Sequence, residues 1–228
     1  MSRKWYGNRV RKLEKSASIL KEVEYLYSHP DMPNHSKEFL GSLANYYKQN
    51  GGLTIRQYKA LVNVATQIEP EEIVKRKRWS ESYSEERREI AKICALYYVH
   101  TPYFSSLAKR ILKEGDFIPS EEAFTSMCYN RYAQKIVEAT YSEPLYDVGT
   151  LVKFRKTNSS KIPATYATGK IILDWDNYRD KTYLVIQANS SPVLSPAKGA
   201  KKYNILPFGS QEVLQAEERY LKKSRKKS

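Results

Sequence analysis

Apolar residues recur every three to four positions from residue 10 to about residue 140, and the period changes to two from Val148 onward. The first spacing is typical of amphipathic helices and the second of half-buried strands. The sequence therefore predicts an α+β protein. An α-helical N-terminal domain occupies residues 1–147, and a small β domain with a basic tail occupies residues 148–228.

The stretch Phe39–Leu61 has the pattern of a helical hairpin. Its first helix ends at Gly51-Gly52, because glycine adopts the left-handed conformation of a helix C-terminus without steric cost. Thr54 and Gln57 then have the spacing of a capping box, which predicts a second helix from residue 55.

A degraded copy of this hairpin follows at Tyr103–Met127. Leu43 aligns with Leu107 and Gly51 with Gly115, so we expect two buried leucines and two glycines at helix ends. The helical domain is thus predicted to contain two related units, at about 16–74 and 79–145. Chance similarity of two amphipathic segments is the alternative.

Further signals place the remaining elements. Ser82 and Glu85 have capping-box spacing before a helix at 85–99, and one apolar stripe predicts a single helix at 121–140. Beyond Val148 the alternation predicts five strands, an exposed loop at 189–199 and a final helical turn at 217–223. The strands are expected at about 148–155, 166–173, 182–188, 202–208 and 211–216.

Two segments resemble known families. Val148-Gly149-Thr150-Leu151-Val152, the Gly169 that precedes Ile171, and Glu217–Leu221 are similar to segments of small SH3-like or KOW-like barrels. That resemblance implies a small barrel of the kind found in ribosomal, transcription-elongation and nucleic-acid-accessory proteins. Phe39–Leu61 resembles helical modules of uncharacterised tailed-phage proteins, which implies a viral protein acting in the host cytoplasm.

The net charge of +14 is unevenly distributed along the chain. Residues 1–15 have a net charge of +5, the run Lys75–Arg78 adds +4, and residues 148–211 and 219–228 contribute +7 and +6. Residues 16–74 and 79–147 are mildly acidic, at −2 and −3. Basic segments around a neutral or acidic body indicate an anionic partner.

Catalytic and metal-binding patterns have little support in the sequence. The three histidines lack metal-ligand spacing, and the chain has no Walker-type loop, dinucleotide fingerprint or nucleophile elbow. Cys94 and Cys128 are expected to be buried thiols in a reducing, intracellular setting, and Asp174, Asp176 and Asp180 to be turn formers. We therefore expect no enzyme activity, no cofactor and no metal.

Nucleic-acid binding is better supported, because cations and aromatic residues alternate in the β domain. Cations neutralise phosphates and aromatic faces stack on bases. Phe154 and Tyr183 are expected in the core, and Trp175 and Tyr178 exposed in a loop. The candidate interface residues are Lys153, Arg155, Lys156, Lys170, Trp175, Tyr178, Arg179, Lys181, Lys201, Lys202, Lys222, Lys223 and Arg225.

The sequence thus predicts a non-enzymatic, cytoplasmic accessory protein that binds DNA or RNA in replication, transcription or translation. Its helical domain is expected to dock a protein partner. No apolar run approaches the roughly 20 residues of a membrane span, so no membrane partner is expected. The alternative is an adaptor or a structural component of a virion, whose basic surface binds an acidic protein.

Overall fold

The structure, a computed structural model, describes residues 17–156 and 162–224. Within these ranges the chain has eight α-helices and one six-stranded antiparallel sheet, which confirms the predicted α+β class. The chain divides into two compact units, with the division between Ser82 and Tyr83.

The first unit contains α1 (Ala17–Ser28), α2 (Asn34–Asn50), α3 (Ile55–Ala65) and α4 (Pro70–Ser82). The first three helices share a core with the turns between them. Its buried side chains are Ile19, Val23, Leu26, Met32, Leu40, Leu43, Leu53, Leu61 and Val64.

The predicted hairpin signals are confirmed in the first unit. Gly51 caps α2 in the left-handed conformation with φ of 67°. Thr54 Oγ1 accepts from the Gln57 backbone N–H, and the Gln57 side chain accepts from the Thr54 backbone N–H. The basic run Lys75–Arg78 was expected between two units, but it lies inside α4. It follows the first turn of that helix, which contains the acidic residues Glu71 and Glu72.

The second unit contains four helices followed by the sheet. The helices are α5 (Glu85–Tyr98), α6 (Ser105–Lys113), α7 (Glu121–Cys128) and α8 (Arg131–Tyr141). The predicted capping box at Ser82 is wrong, since Ser82 ends α4 and Ser84 accepts from the Arg87 backbone N–H. The single helix predicted at 121–140 is also wrong. The helix is interrupted after Cys128, and Asn130 caps the start of α8.

Both units repeat the order helix, turn, helix, glycine, capped helix, but the aligned positions differ. Leu43 is 2% exposed, whereas Leu107 is half-buried and its neighbour Ala108 is fully buried. Glu114, not Gly115, caps α6, with φ of −104°. The prediction that Leu43 and Leu107 are equivalent buried residues, and that Gly51 and Gly115 are equivalent helix ends, is therefore wrong. An internal repeat stays a prediction.

The sheet has six strands where five were predicted, in the order β2-β5-β4-β3-β1-β6. They are β1 (Leu151–Phe154), β2 (Ala164–Tyr166), β3 (Tyr183–Gln187), β4 (Lys202–Pro207), β5 (Leu214–Glu217) and β6 (Leu221–Lys223). The strand predicted at 166–173 is wrong, because Gly169 makes a turn with φ of 84° and the ladder ends at Tyr166. A 3₁₀ turn at Glu218–Tyr220 replaces the predicted helical turn and leads into β6.

Alternate residues of the strands point into one core. Phe154 and Tyr183 are buried there, as predicted, and their rings meet edge to face at 5.1 Å. The other core side chains are Tyr146, Val152, Ala164, Ile172, Val185, Tyr203, Ile205, Leu214, Ala216 and Leu221. The opposite, outer face of the sheet therefore displays the intervening residues.

The predicted boundary at 147/148 falls inside the second unit. The segment before β1 is tied to the sheet, since Tyr146 Oη donates to the Leu221 carbonyl at 2.9 Å and the Leu145 backbone N–H donates to Glu218 Oε2 at 3.0 Å. The loop at 189–199, expected to be exposed, buries Val193 in a cluster with Ile136 of α8. Helices and sheet thus share packing that the change of period does not reveal.

Candidate nucleic-acid interface

The edge of the sheet formed by β1 and β6 groups several of the predicted cations. Lys153 on β1 is the register partner of Lys222 on β6. Directly paired residues on neighbouring strands project from the same face, with Cβ atoms about 4.5–5.5 Å apart. Phe154 and Leu221, the next pair, are buried, so Lys153 and Lys222 lie together on the outer face.

Arg155 extends this edge and is held in place by the strand beside it. Its backbone N–H donates to the Tyr220 carbonyl at 2.7 Å, and its Nε donates to the Leu221 carbonyl at 2.7 Å. Arg155, Lys156 and Lys223 are all exposed. We call Lys153, Arg155, Lys156, Lys222 and Lys223 the basic edge.

The two facing lysines have an electrostatic cost. Like charges directly opposite on neighbouring strands are destabilising. Within residues 17–156 and 162–224, no ion pair joins Lys153, Lys222 or Lys223 to a carboxylate. An external anion bound between Lys153 and Lys222 would relieve their repulsion.

The loop between β2 and β3 holds a second, looser group of cations. Lys170 is exposed, and the Lys181 ammonium lies 5.3 Å from the centre of the Tyr178 ring. Arg179 is engaged with Asp176 at 3.2 Å and Asp180 at 3.5 Å. Because these carboxylates partly neutralise Arg179, this loop offers a phosphate less positive charge than the basic edge does.

The expectation that Trp175 and Tyr178 are exposed is wrong, because both are half-buried against the sheet core. The Trp175 ring meets the Phe154 ring edge to face at 4.8 Å. Tyr178 donates its hydroxyl to Glu212, and this hydrogen bond raises the pKa of the Tyr178 phenol. Neither ring is free to act as an open stacking platform.

Lys201 is 4% exposed, which contradicts its assignment as a surface phosphate contact. Its ammonium donates to the Ser142 carbonyl. Burial lowers the pKa of Lys201, while the nearby carboxylates of Glu218 and Glu143 act in the opposite direction. Lys201 therefore fastens the segment before β1 to the sheet.

Lys202, one residue further on, faces outward and lines a cleft over β2, β5 and the 3₁₀ turn. The other polar residues of this cleft, among them Gln215, Arg219 and Tyr220, were not among the predicted site residues. Arg219 lies in the basic segment 219–228, which was the available signal. Its neighbours in the cleft come from strands far apart in sequence, so spacing alone gives no sign of the cleft.

The remaining predicted contacts lie outside the described residues, namely Arg225 and the basic segment 1–15. In the part of the chain that the structure describes, the candidate interface residues that are not buried therefore lie on the basic edge, in the loop with Lys170 and Lys181, and in the cleft with Lys202.

The acidic loop residues behave as turn formers. Asp174 accepts from the Asn177 side chain, and Asp176 and Asp180 pair with Arg179. Among the described residues, no group of three or more His, Cys, Asp or Glu side chains is arranged to hold a metal ion. Cys94 and Cys128 are buried free thiols, as expected.

Among the described helices, none has both the length and the apolar character needed to cross a membrane.

Comparison with protein families, curated proteins and solved structures found no match for this chain. The resemblances to SH3-like barrels and to tailed-phage modules therefore stay predictions. The fold and the site define an α+β protein with a lysine-rich sheet edge, and the geometry of that edge is what bears on function.

Proposed function

We propose that this protein is a non-enzymatic accessory factor that binds nucleic acid through the basic edge of its sheet. The observation on which this proposal rests is the pairing of Lys153 with Lys222 across two neighbouring strands. A neutral residue at either position would remove their repulsion, whereas a phosphate between the two lysines turns the repulsion into two attractive contacts.

The rest of the edge supports the same ligand. The Arg155 side chain is held against β6 by the 2.7 Å hydrogen bond from its Nε to the Leu221 carbonyl, so less side-chain freedom is lost when the rest of its guanidinium meets a phosphate. Lys156 and Lys223 add exposed cations at the same edge of the sheet. Contacts of this kind position a nucleic-acid backbone and do not by themselves read its sequence.

We propose further that the sheet forms a small SH3-like barrel acting in the cytoplasm in replication, transcription or translation, in a protein of viral origin. Short antiparallel strands whose inner faces share one core support this architecture. The basic segments outside the described residues would add phosphate contacts that are independent of sequence.

An adaptor function is the second candidate, and one surface of the first unit favours it. Ile55, Tyr58 and Val62 form an exposed stripe on α3 at spacings of three and four residues. Arg56 and Lys59 flank the stripe, and α3 has no acidic residue. Such a stripe fits an acidic amphipathic segment of a protein partner.

A titration with labelled single-stranded and duplex DNA and RNA, at two salt concentrations, tests the proposed function. Excess polyglutamate is added to each titration as an acidic competitor. We expect binding that weakens steeply with salt, because each neutralised phosphate contributes about −0.9 to the logarithmic salt slope on duplex DNA. Binding should also survive the competitor.

Two results would contradict the proposal. If no nucleic acid binds with a salt-dependent affinity, the basic edge has another partner. If polyglutamate displaces nucleic acid at equal charge concentration, general attraction to anions suffices, and the adaptor function is favoured.

A further inference from the structure

The cleft over β2, β5 and the 3₁₀ turn is a defined concavity on the outer side of the sheet, with a volume of about 190 Å³. Thr165 of β2 and Gln215 of β5 line it as register partners. Lys202, Arg219 and the Tyr220 ring also line it. The cleft thus combines hydrogen-bonding groups, two cations, the Glu217 carboxylate that partly neutralises Arg219, and one aromatic ring.

Its size limits what it can accept. Pockets for drug-sized ligands measure roughly 300–1,000 Å³, so this cleft is too small for a whole cofactor or dinucleotide. A single planar ring system is the natural occupant. Tyr220 is half-buried, and the part of its ring that is not packed against the sheet core lines the cleft and supplies an aromatic contact. Gln215 and Thr165 supply donors and acceptors.

The cations of the cleft are arranged around this space. Arg219 pairs with Glu217 at 2.5 Å, and its guanidinium lies 5.0 Å from the centre of the Tyr220 ring. This ion pair fixes Arg219 beside the aromatic surface. Lys202, whose register partner is Glu217, completes a rim with more positive than negative charge.

The cleft is continuous with the basic edge. Tyr220 is followed directly by β6, and its carbonyl accepts from the Arg155 backbone N–H. From Tyr220 the chain therefore runs through Leu221, whose carbonyl accepts from Arg155 Nε, to Lys222 opposite Lys153. A ligand with a ring in the cleft can place its neighbouring phosphates along the basic edge.

We infer that the cleft accepts one unstacked base of a single-stranded nucleic acid, with the adjoining phosphates on the basic edge. This inference rests on the proposed function and names its ligand class. A duplex keeps its bases paired and stacked inside the helix, so it can meet the basic edge but cannot fill the cleft without extruding a base. The protein therefore prefers single strands to duplexes.

Substitutions at Tyr220 test the stacking contact in the full chain. Tyr220→Leu removes the aromatic face, and Tyr220→Phe retains it. With a labelled oligothymidylate we expect Tyr220→Leu to bind about five- to 150-fold more weakly than wild type, the range that loss of one base–aromatic stack predicts. Tyr220→Phe should bind like wild type, and a duplex of the same length should bind all three proteins alike.

A second variant keeps the test decisive if Tyr220→Leu fails to fold. Thr165→Trp fills the cleft from the edge strand β2, and it should abolish the preference for oligothymidylate over duplex. Gln187→Trp is the matched control, since Gln187 is exposed on β3 and does not line the cleft. It should leave the preference intact, and thermal melting checks that each variant is folded.

The outcomes separate this inference from the proposed function. If wild type binds nucleic acid but Thr165→Trp and folded Tyr220→Leu bind single strands like wild type, the cleft inference is overturned and the basic edge stands. A wild-type preference for duplex overturns it as well. If wild type binds no nucleic acid, both are overturned.

Discussion

At the scale of single residues, Asn130 shows how much one side chain can decide. Its Oδ1 accepts from the backbone N–H groups of Tyr132 and Ala133 and from the Tyr98 hydroxyl, at 2.9–3.1 Å. Its Nδ2 donates to the carbonyls of Ser126 and Met127, both at 2.9 Å. One amide thus satisfies groups at the end of α7 and at the start of α8, and it joins both to α5.

We expect Asn130→Ala to destabilise the protein by about 1–3 kcal/mol, which combines the loss of an N-cap with an unpaired buried tyrosine hydroxyl. Asn130→Asp should cost less, because the carboxylate still accepts from the α8 backbone and lies at the positive end of the helix. Urea unfolding of both variants checks the order. Equal stability of Asn130→Ala and wild type would contradict this role.

The break between α7 and α8 was not predicted from the sequence, because the apolar period continues across it. Phe124, Met127 and Cys128 end one buried face, and Ala133 and Ile136 continue it. Asparagine is an ordinary surface residue of helices as well as a cap, so only the structure distinguishes the two. The exposure of single lysines is equally hard to predict, since Lys201 and Lys202 are adjacent and have opposite environments.

At the scale of elements, the inner faces of the strands contain tyrosines that the fold keeps neutral. Tyr183 on β3 and Tyr203 on β4 are fully buried. Burial raises the pKa of both phenols above the usual 10.0, and a hydrogen bond to Glu218 raises that of Tyr203 further. Above pH 10 the unfolded chain releases these protons while the folded chain retains them.

The contribution of Tyr183 and Tyr203 to the free energy of unfolding should therefore be fully present below pH 10 and decrease as the pH rises above it. The expected slope is about 1.4 kcal/mol per pH unit for each such tyrosine. Tyr183→Phe should reduce the slope of wild type by one such increment. Tyr25→Phe, at an exposed position, is the matched control. Urea unfolding between pH 9 and 11 measures the slopes, and a Tyr183→Phe slope equal to that of wild type would contradict this expectation.

Element types were predictable where the local pattern is strong, and boundaries were not. Thr54, Gln57 and Gly51 predicted the α2–α3 turn correctly because capping depends on neighbouring residues. Strand β6 was mistaken for a helical turn and tail because three residues contain too little alternation. Its assignment depends on β1, which lies about 70 residues away in sequence.

At the scale of the whole molecule, charge segregation was visible in the sequence but the geometry of the candidate interface was not. The counts of basic residues pointed to the C-terminal third. They did not show that Lys153 faces Lys222, that Arg155 is fixed against β6, or that Tyr220 lines a cleft. These facts follow from strand register, which tertiary packing sets.

The central claim is that the basic edge binds the phosphates of a nucleic acid. The most direct test is the salt dependence of affinity for a protein with Lys153, Lys222 and Lys223 all changed to glutamine. The matched control changes Lys92, Lys109 and Lys135, three exposed lysines on α5, α6 and α8, and removes the same charge.

We predict that the edge variant has a shallower logarithmic salt slope than wild type on a single strand, by about 0.7 for each phosphate that it no longer neutralises, and that the control keeps the wild-type slope. If the two variants change the slope equally, only the net charge matters, and the claim that the β1–β6 edge is the binding site is wrong.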